Sequence, residues 1–160
     1  MGRIKLFDPI TDDCEKNAIN RVLESKFWAS GAGNGEVKKF EGKFLKYINS
    51  KSCVAVNSGT AALNLALSMY NIKNKEVIIP SLSFVSTANA VIENGGIPKF
   101  VDIDEKTLCM DPEKVLKAIS KKTKVILPVH FGGLTSNLGK ISKLCKEHKI
   151  SLVEDAWHAA

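Results

Sequence analysis

Apolar residues recur along this chain with two different periods, and the change between them falls near Ser52. Over residues 12–25, "DDCEKNAINRVLES", Ala18, Ile19, Val22 and Leu23 share one stripe at helical spacing. Over residues 36–48, "EVKKFEGKFLKYI", Val37, Phe40, Phe44, Leu45 and Ile48 do the same, and the glycine-rich stretch "ASGAGNGE" between them reads as a loop. Residues 1–51 are therefore expected to form a helical N-terminal segment. From Ser52 onward, short apolar runs alternate with longer amphipathic stretches, the rhythm of βα units. Strands are expected at residues 53–57, 76–80, 98–102, 124–130 and 150–155, and helices at 58–70, 84–94, 111–120 and 135–148. Asp111 followed by Pro112 makes a good cap and first-turn pair for the third of these helices. The fold class is α/β, with a mostly parallel sheet flanked by helices over residues 52–160.

Composition narrows the class. A chain of 160 residues suggests one domain, and 44% hydrophobic with 25% charged residues is the make-up of an ordinary globular protein. The net charge of +6 invites a nucleic-acid reading, but the cations are almost all dispersed lysines. Arg3 and Arg21 are the only arginines, and phosphate and base recognition leans on the arginine fork, so no nucleic-acid partner is expected. No apolar run approaches the roughly 20 residues needed to span a bilayer, so no membrane partner is expected either. Cys14, Cys53, Cys109 and Cys145 are widely spaced with no CxxC pair, and no signal peptide precedes them. That pattern indicates neither a zinc site nor a disulfide framework and points to the cytoplasm.

The chemistry gathers where the expected strands end. Gly31, Gly33 and Gly35 do not make a dinucleotide fingerprint, because a helical pattern rather than a strand precedes them. After the run at 53–57, Ser58, Gly59 and Thr60 open a helix. Free N–H groups, a glycine permitting close approach and two hydroxyls make either a phosphate cradle or a plain serine cap. After the second run comes Phe84, a stacking ring or a core residue. The fourth ends in His130, a ligand contact or a buried hydrogen-bonded histidine. The fifth delivers Asp155 and His158, with no third or fourth ligand spaced to make a metal site. In open α/β sheets ligands bind at the carboxyl ends of the strands. A phosphate cradle, a stacking ring and a carboxylate converging there suit pyridoxal 5'-phosphate, whose ring nitrogen stays protonated against a carboxylate.

The blocks "VNSGTAALNLAL" (56–67), "IIPSLSFVSTANAV" (78–91), "GGIPKFVDID" (95–104), "KTKVILPVHFGG" (122–133) and "VEDAWHAA" (153–160) occur in one order. In that order they resemble the DegT/DnrJ/EryC1/StrS family of nucleotide-sugar aminotransferases, from about Gly31 onward. The resemblance implies the large domain of a fold-type I pyridoxal-phosphate enzyme, normally a homodimer, that moves an amino group from glutamate or glutamine to a nucleotide-linked keto sugar. Carried over by motif, Ser58, Gly59 and Thr60 bind the cofactor phosphate and Phe84 stacks on the pyridine. Asp155 pairs with the ring nitrogen, and His158 hydrogen-bonds the ring hydroxyl. Trp157 stands where the family usually has a small residue. The family's cofactor-anchoring lysine lies beyond the last block, so no catalytic lysine is assigned. The chain is expected to be the N-terminal portion of a longer enzyme, inactive alone. A sugar dehydratase using pyridoxamine phosphate and a non-catalytic ligand-binding domain are the alternatives.

Overall fold

The computed structural model describes residues 8–28 and 35–159. The chain divides into two compact units, Met1–Ala55 and Val56–Ala160. Gly31 and Gly33 of the expected loop lie outside the described residues.

In the first unit the helical periodicity forms α1 (Asp13–Ser25) and α2 (Glu36–Tyr47). Asp12 caps α1 by accepting the Cys14 N–H at 2.6 Å, while Glu15 reaches back to the Asp12 N–H at 2.8 Å. This reciprocal box satisfies two amides that a helix start otherwise leaves open. The apolar stripes are not buried: Ile19, Leu23, Phe40 and Ile48 are all exposed, and Phe40 and Phe44 stack at 5.7 Å. No strand forms at residues 53–57. A strand exists only where a neighbour completes its ladder, and here the Ala55 N–H is taken by the Glu41 carboxylate at 2.8 Å. Val54 and Val56 are left exposed.

The second unit is a three-layer α/β sandwich. Its elements are α3 (Gly59–Ser68), β1 (Glu76–Pro80), α4 (Val85–Glu93), β2 (Ile97–Val101), α5 (Pro112–Ala118), β3 (Thr123–Ile126), α6 (Leu138–His148) and β4 (Ser151–Leu152). All four strands are parallel, in the order β2-β1-β3-β4. Because side chains alternate faces, the central strands read as continuous apolar runs that feed two cores. Val77 and Ile79 of β1, with Val125 and Leu127, pack against Leu63 and Leu67 of α3 and Ala90 and Val91 of α4. Ile78 and Ile126 face the other way, onto Val115 of α5 and Ile141 and Cys145 of α6. Asp111 caps α5 at 2.8 Å with Pro112 in its first turn, as the sequence predicts.

The regular ladders of β3 and β4 stop short of the expected 124–130 and 150–155, because Pro128 has no N–H to contribute. Pairing continues irregularly beyond them. Asp155 N–H donates to Pro128 O at 2.9 Å and His130 N–H donates to Asp155 O at 3.0 Å, around a parallel bridge between Val129 and Asp155. This extension carries the strand ends out to the site residues.

At the opposite, N-terminal end of the sheet, Glu76 ties three strands together. Its Oε2 accepts from Ser120 Oγ at 2.6 Å, Lys99 Nζ at 3.1 Å and Thr123 Oγ1 at 3.2 Å. These donors, Ser120 first, hold the Glu76 carboxyl below the ordinary value of 4.5. A depressed folded-state pKa means that the unfolded chain binds more protons, so this contribution is complete above the unfolded value and disappears as pH falls through the folded one. The expected result for Glu76→Gln is a loss of about 1–2 kcal/mol at neutral pH. The difference from the parent should close as urea midpoints are followed from pH 6 towards pH 3. A difference unchanged across that range would refute the assignment.

Candidate functional site

The sheet order reverses between β1 and β3, so the chain leaves their carboxyl ends in opposite directions and opens a crevice. A cavity of about 430 Å³ lies there, and Ser58, Gly59, Thr60, Phe84, Asp155 and His158 all line it. A second hollow, of about 460 Å³, opens beside Ser120, Thr123 and His148 at the strands' N-terminal end. It has no carboxylate in its wall.

One end of the site is the start of α3. Ser58 is extended, at φ −163° and ψ 159°, and its Oγ accepts the Ala61 N–H at 3.2 Å. The serine is thus a helix cap, and its own hydroxyl hydrogen is left for a ligand. Gly59 and Thr60 occupy the first turn, where amides have no partner within the helix. Those amides and the positive end of the helix dipole favour an anion.

The other end is Asp155, held by the extended pairing with Pro128 and His130. Its Oδ2 accepts from Thr87 Oγ1 at 3.3 Å, and the Trp157 N–H lies 3.4 Å from Oδ1. Thr87 is fully buried on α4 and escaped the reading of the sequence. Its signal was a hydroxyl placed on the buried stripe of Ala90 and Val91, at i, i+3 and i+4.

His158 accepts the Gly132 N–H on Nδ1 at 3.3 Å, so the neutral ring carries its proton on Nε2, as a donor. Phe131, also missed from sequence, meets the His158 ring edge-on at 6.0 Å and lines the cavity. Gly132 and Gly133 have positive φ, and a Cβ on Gly133 would lie 2.8 Å from the His158 carbonyl oxygen. Only glycine lets this turn sit so close. Phe84, at the N-cap of α4, is 75% exposed, which makes it a wall of the cavity rather than a core residue.

His130 does not line the cavity. It is buried, with Nδ1 accepting the Ser136 N–H at 3.2 Å and Nε2 lying 3.0 Å from Glu154 Oε2. A backbone N–H can only donate, so in the neutral ring Nε2 holds the proton and donates to Glu154. Ser136, His130 and Glu154 have the residue types of a hydrolytic triad. However, the Ser136 hydroxyl is buried and donates to Val129 O at 3.1 Å, so it faces no substrate. Among the described residues no cluster of three His, Cys, Asp or Glu side chains can hold a metal, and all four cysteines are free. No helix there is long and apolar enough to cross a membrane.

The chain is 41% identical over 152 residues to the spore coat polysaccharide biosynthesis protein SpsC of Bacillus subtilis, covering 94% of this chain and 38% of that one. Its structure matches 3-amino-5-hydroxybenzoic acid synthase with a TM-score of 0.89 at 38% identity, over 94% of this chain and 39% of the other. It also matches the GDP-4-keto-6-deoxy-D-mannose-3-dehydratase of E. coli, solved with bound hydrated pyridoxal phosphate. There the TM-score is 0.85 at 35% identity, over 94% and 40% of the two chains. The chain thus spans about two fifths of the length of the relatives it matches. The fold is that of the fold-type I pyridoxal-phosphate transferases, and residues 9–160 match the family's sequence pattern throughout. The chain belongs to the DegT/DnrJ/EryC1/StrS aminotransferase family.

Proposed function

We propose that this chain provides cofactor-binding residues of a pyridoxal-phosphate-dependent enzyme that transfers an amino group from glutamate or glutamine to a nucleotide-linked keto sugar. The observation that carries the reading is the meeting, in one cavity, of a helix N-terminus, an exposed aromatic wall, a carboxylate and an imidazole donor. That donor set suits the cofactor's phosphate, ring faces, ring nitrogen and ring hydroxyl in turn.

When bound, pyridoxal phosphate supplies an electron-withdrawing pyridinium ring that stabilises negative charge developing on the carbon bearing the amino group. The protein's part is to bind and orient. Ser58, Gly59 and Thr60 hold the phosphate through amides and hydroxyls. Asp155, steadied by Thr87, keeps the proton on the ring nitrogen, and His158 donates from Nε2 to the ring hydroxyl oxygen. Phe84 covers one ring face and keeps water from it. The exposed apolar residues of α1 and α2 favour a homodimer as the working form.

Among the described residues no lysine lines the cavity. The expected result is therefore saturable binding of pyridoxal phosphate, followed by absorbance, without borohydride-reducible attachment at this cavity and without transamination by the chain alone. A defined reducible link to one of the chain's own lysines, with turnover, would overturn that division of labour; absence of saturable binding would overturn the reading of the site.

The match to a sugar 3-dehydratase at 35% identity supports a second reading, in which the same cavity serves loss of a hydroxyl group. Mass spectrometry of the sugar nucleotide after reaction with the whole enzyme separates the two. A gained amino group supports amination, and a lost oxygen without gain of nitrogen supports dehydration.

A further inference from the structure

Gly59 has no backbone need to be glycine, since it sits in the first turn of α3 and is absent from the glycines with positive φ. What a side chain there would meet is Trp157: a Cβ on Gly59 would lie 2.7 Å from Cε3 and 3.2 Å from Cζ3 of the indole. Carbon atoms in contact sit about 3.5–4.0 Å apart, so glycine and indole share a space that only one of them can fill. Trp157 also reaches the other end of the cavity, where its backbone N–H lies 3.4 Å from Asp155 Oδ1. The indole is 71% exposed and lines the cavity, so it is not held there by burial in a core.

We propose that Gly59 and Trp157 form a steric pair, in which the indole seats in the notch left by the glycine and sets the spacing between the first turn of α3 and Asp155. Trp157 is then a positioning residue that determines how a phosphate-bearing ring is accommodated. The missing side chain at position 59 serves the indole and not the ligand. This rests on the reading of the cavity as a pyridoxal-phosphate site, and it changes the part played by one residue within it.

A double-mutant cycle tests the pair, with Gly59→Ala, Trp157→Ala and both together in the chain. Binding is measured for pyridoxal phosphate and for pyridoxal, which lacks the phosphate. Gly59→Ala displaces the indole and disturbs the phosphate end. It should weaken pyridoxal phosphate by about tenfold, the scale of one charge-assisted hydrogen bond, and pyridoxal by about twofold or less. In the Trp157→Ala background the added methyl has nothing to strike. The double variant should then bind within about threefold of Trp157→Ala alone, far from the sum expected of independent sites. A double variant weakened by Gly59→Ala as much as the parent is would overturn the proposal, because the glycine would then face the ligand itself.

A ligand-free arm keeps the two readings apart. The chain has two tryptophans, and the indole N–H signal lost in Trp157→Ala identifies Trp157 in a nitrogen-15 correlation spectrum. Gly59→Ala should move that signal, and an unmoved signal overturns the pair. A moved signal in a chain that binds no pyridoxal phosphate leaves the pair standing and removes the proposed function instead.

Discussion

Replacing Asp155 with alanine lowers the affinity of the chain for pyridoxal phosphate by about ten- to a hundredfold, since a hydrogen bond to a charged group contributes about 1.5–3 kcal/mol. The carboxylate is the group in this cavity suited to a protonated ring nitrogen, and it is placed by backbone pairing rather than by a flexible loop. Asp155→Asn separates charge from shape. The amide oxygen can still accept from Thr87 Oγ1, so the fold around it is kept while the ion pair is lost. Equilibrium dialysis of the three proteins decides the matter, with the strongest binding in the parent and the weakest in the alanine variant. Equal affinity in all three would mean that Asp155 does not face the ring nitrogen.

Replacing His130 with alanine removes about 3 kcal/mol of stability, measured as a shift in the urea midpoint at unchanged slope. Two costs combine. A buried ring is deleted, and the Ser136 N–H loses its acceptor in a place water reaches poorly. Ser136→Ala isolates the smaller part, leaving the Val129 carbonyl without the hydroxyl, and should cost about 1 kcal/mol. Pyridoxal phosphate binding should weaken modestly in the His130 variant, because His130 pairs by backbone and stands beside the bridge that carries Asp155. A loss of stability under about 1 kcal/mol would show that the buried His130 network does not brace this end of the sheet.

Patterns of neighbouring residues make much of this protein legible. The runs at 76–80 and 124–130 announce strands, and the structure alternates Val77 to Ile79 and Val125 to Leu127 between two cores. Asp111 with Pro112 announces a helix start, and Ser58 another, because capping is decided within three or four residues of chain. The strand-end rule then brought Ser58, Phe84, Asp155 and His158 to one edge of the sheet, since a parallel α/β order fixes which ends of the strands lie together. What the sequence could not decide depended on partners distant along the chain. Residues 53–57 have the apolar composition of a strand, but a ladder needs a second strand, and their amide at Ala55 went to Glu41 instead. Whether His130 touches a ligand or braces the core turned on Ser136 and Glu154, and Thr87 gained its role only when α4 packed beside Asp155. The meaning of Gly59 depends on an indole 98 positions away in the chain. By itself the sequence determined the periods and the caps, because those are local balances of burial and hydrogen bonding, while the strand order β2-β1-β3-β4 is a property of the assembled sheet. Tertiary structure alone decided which polar groups face one another, because burial forces each to find its partner wherever the fold has placed it.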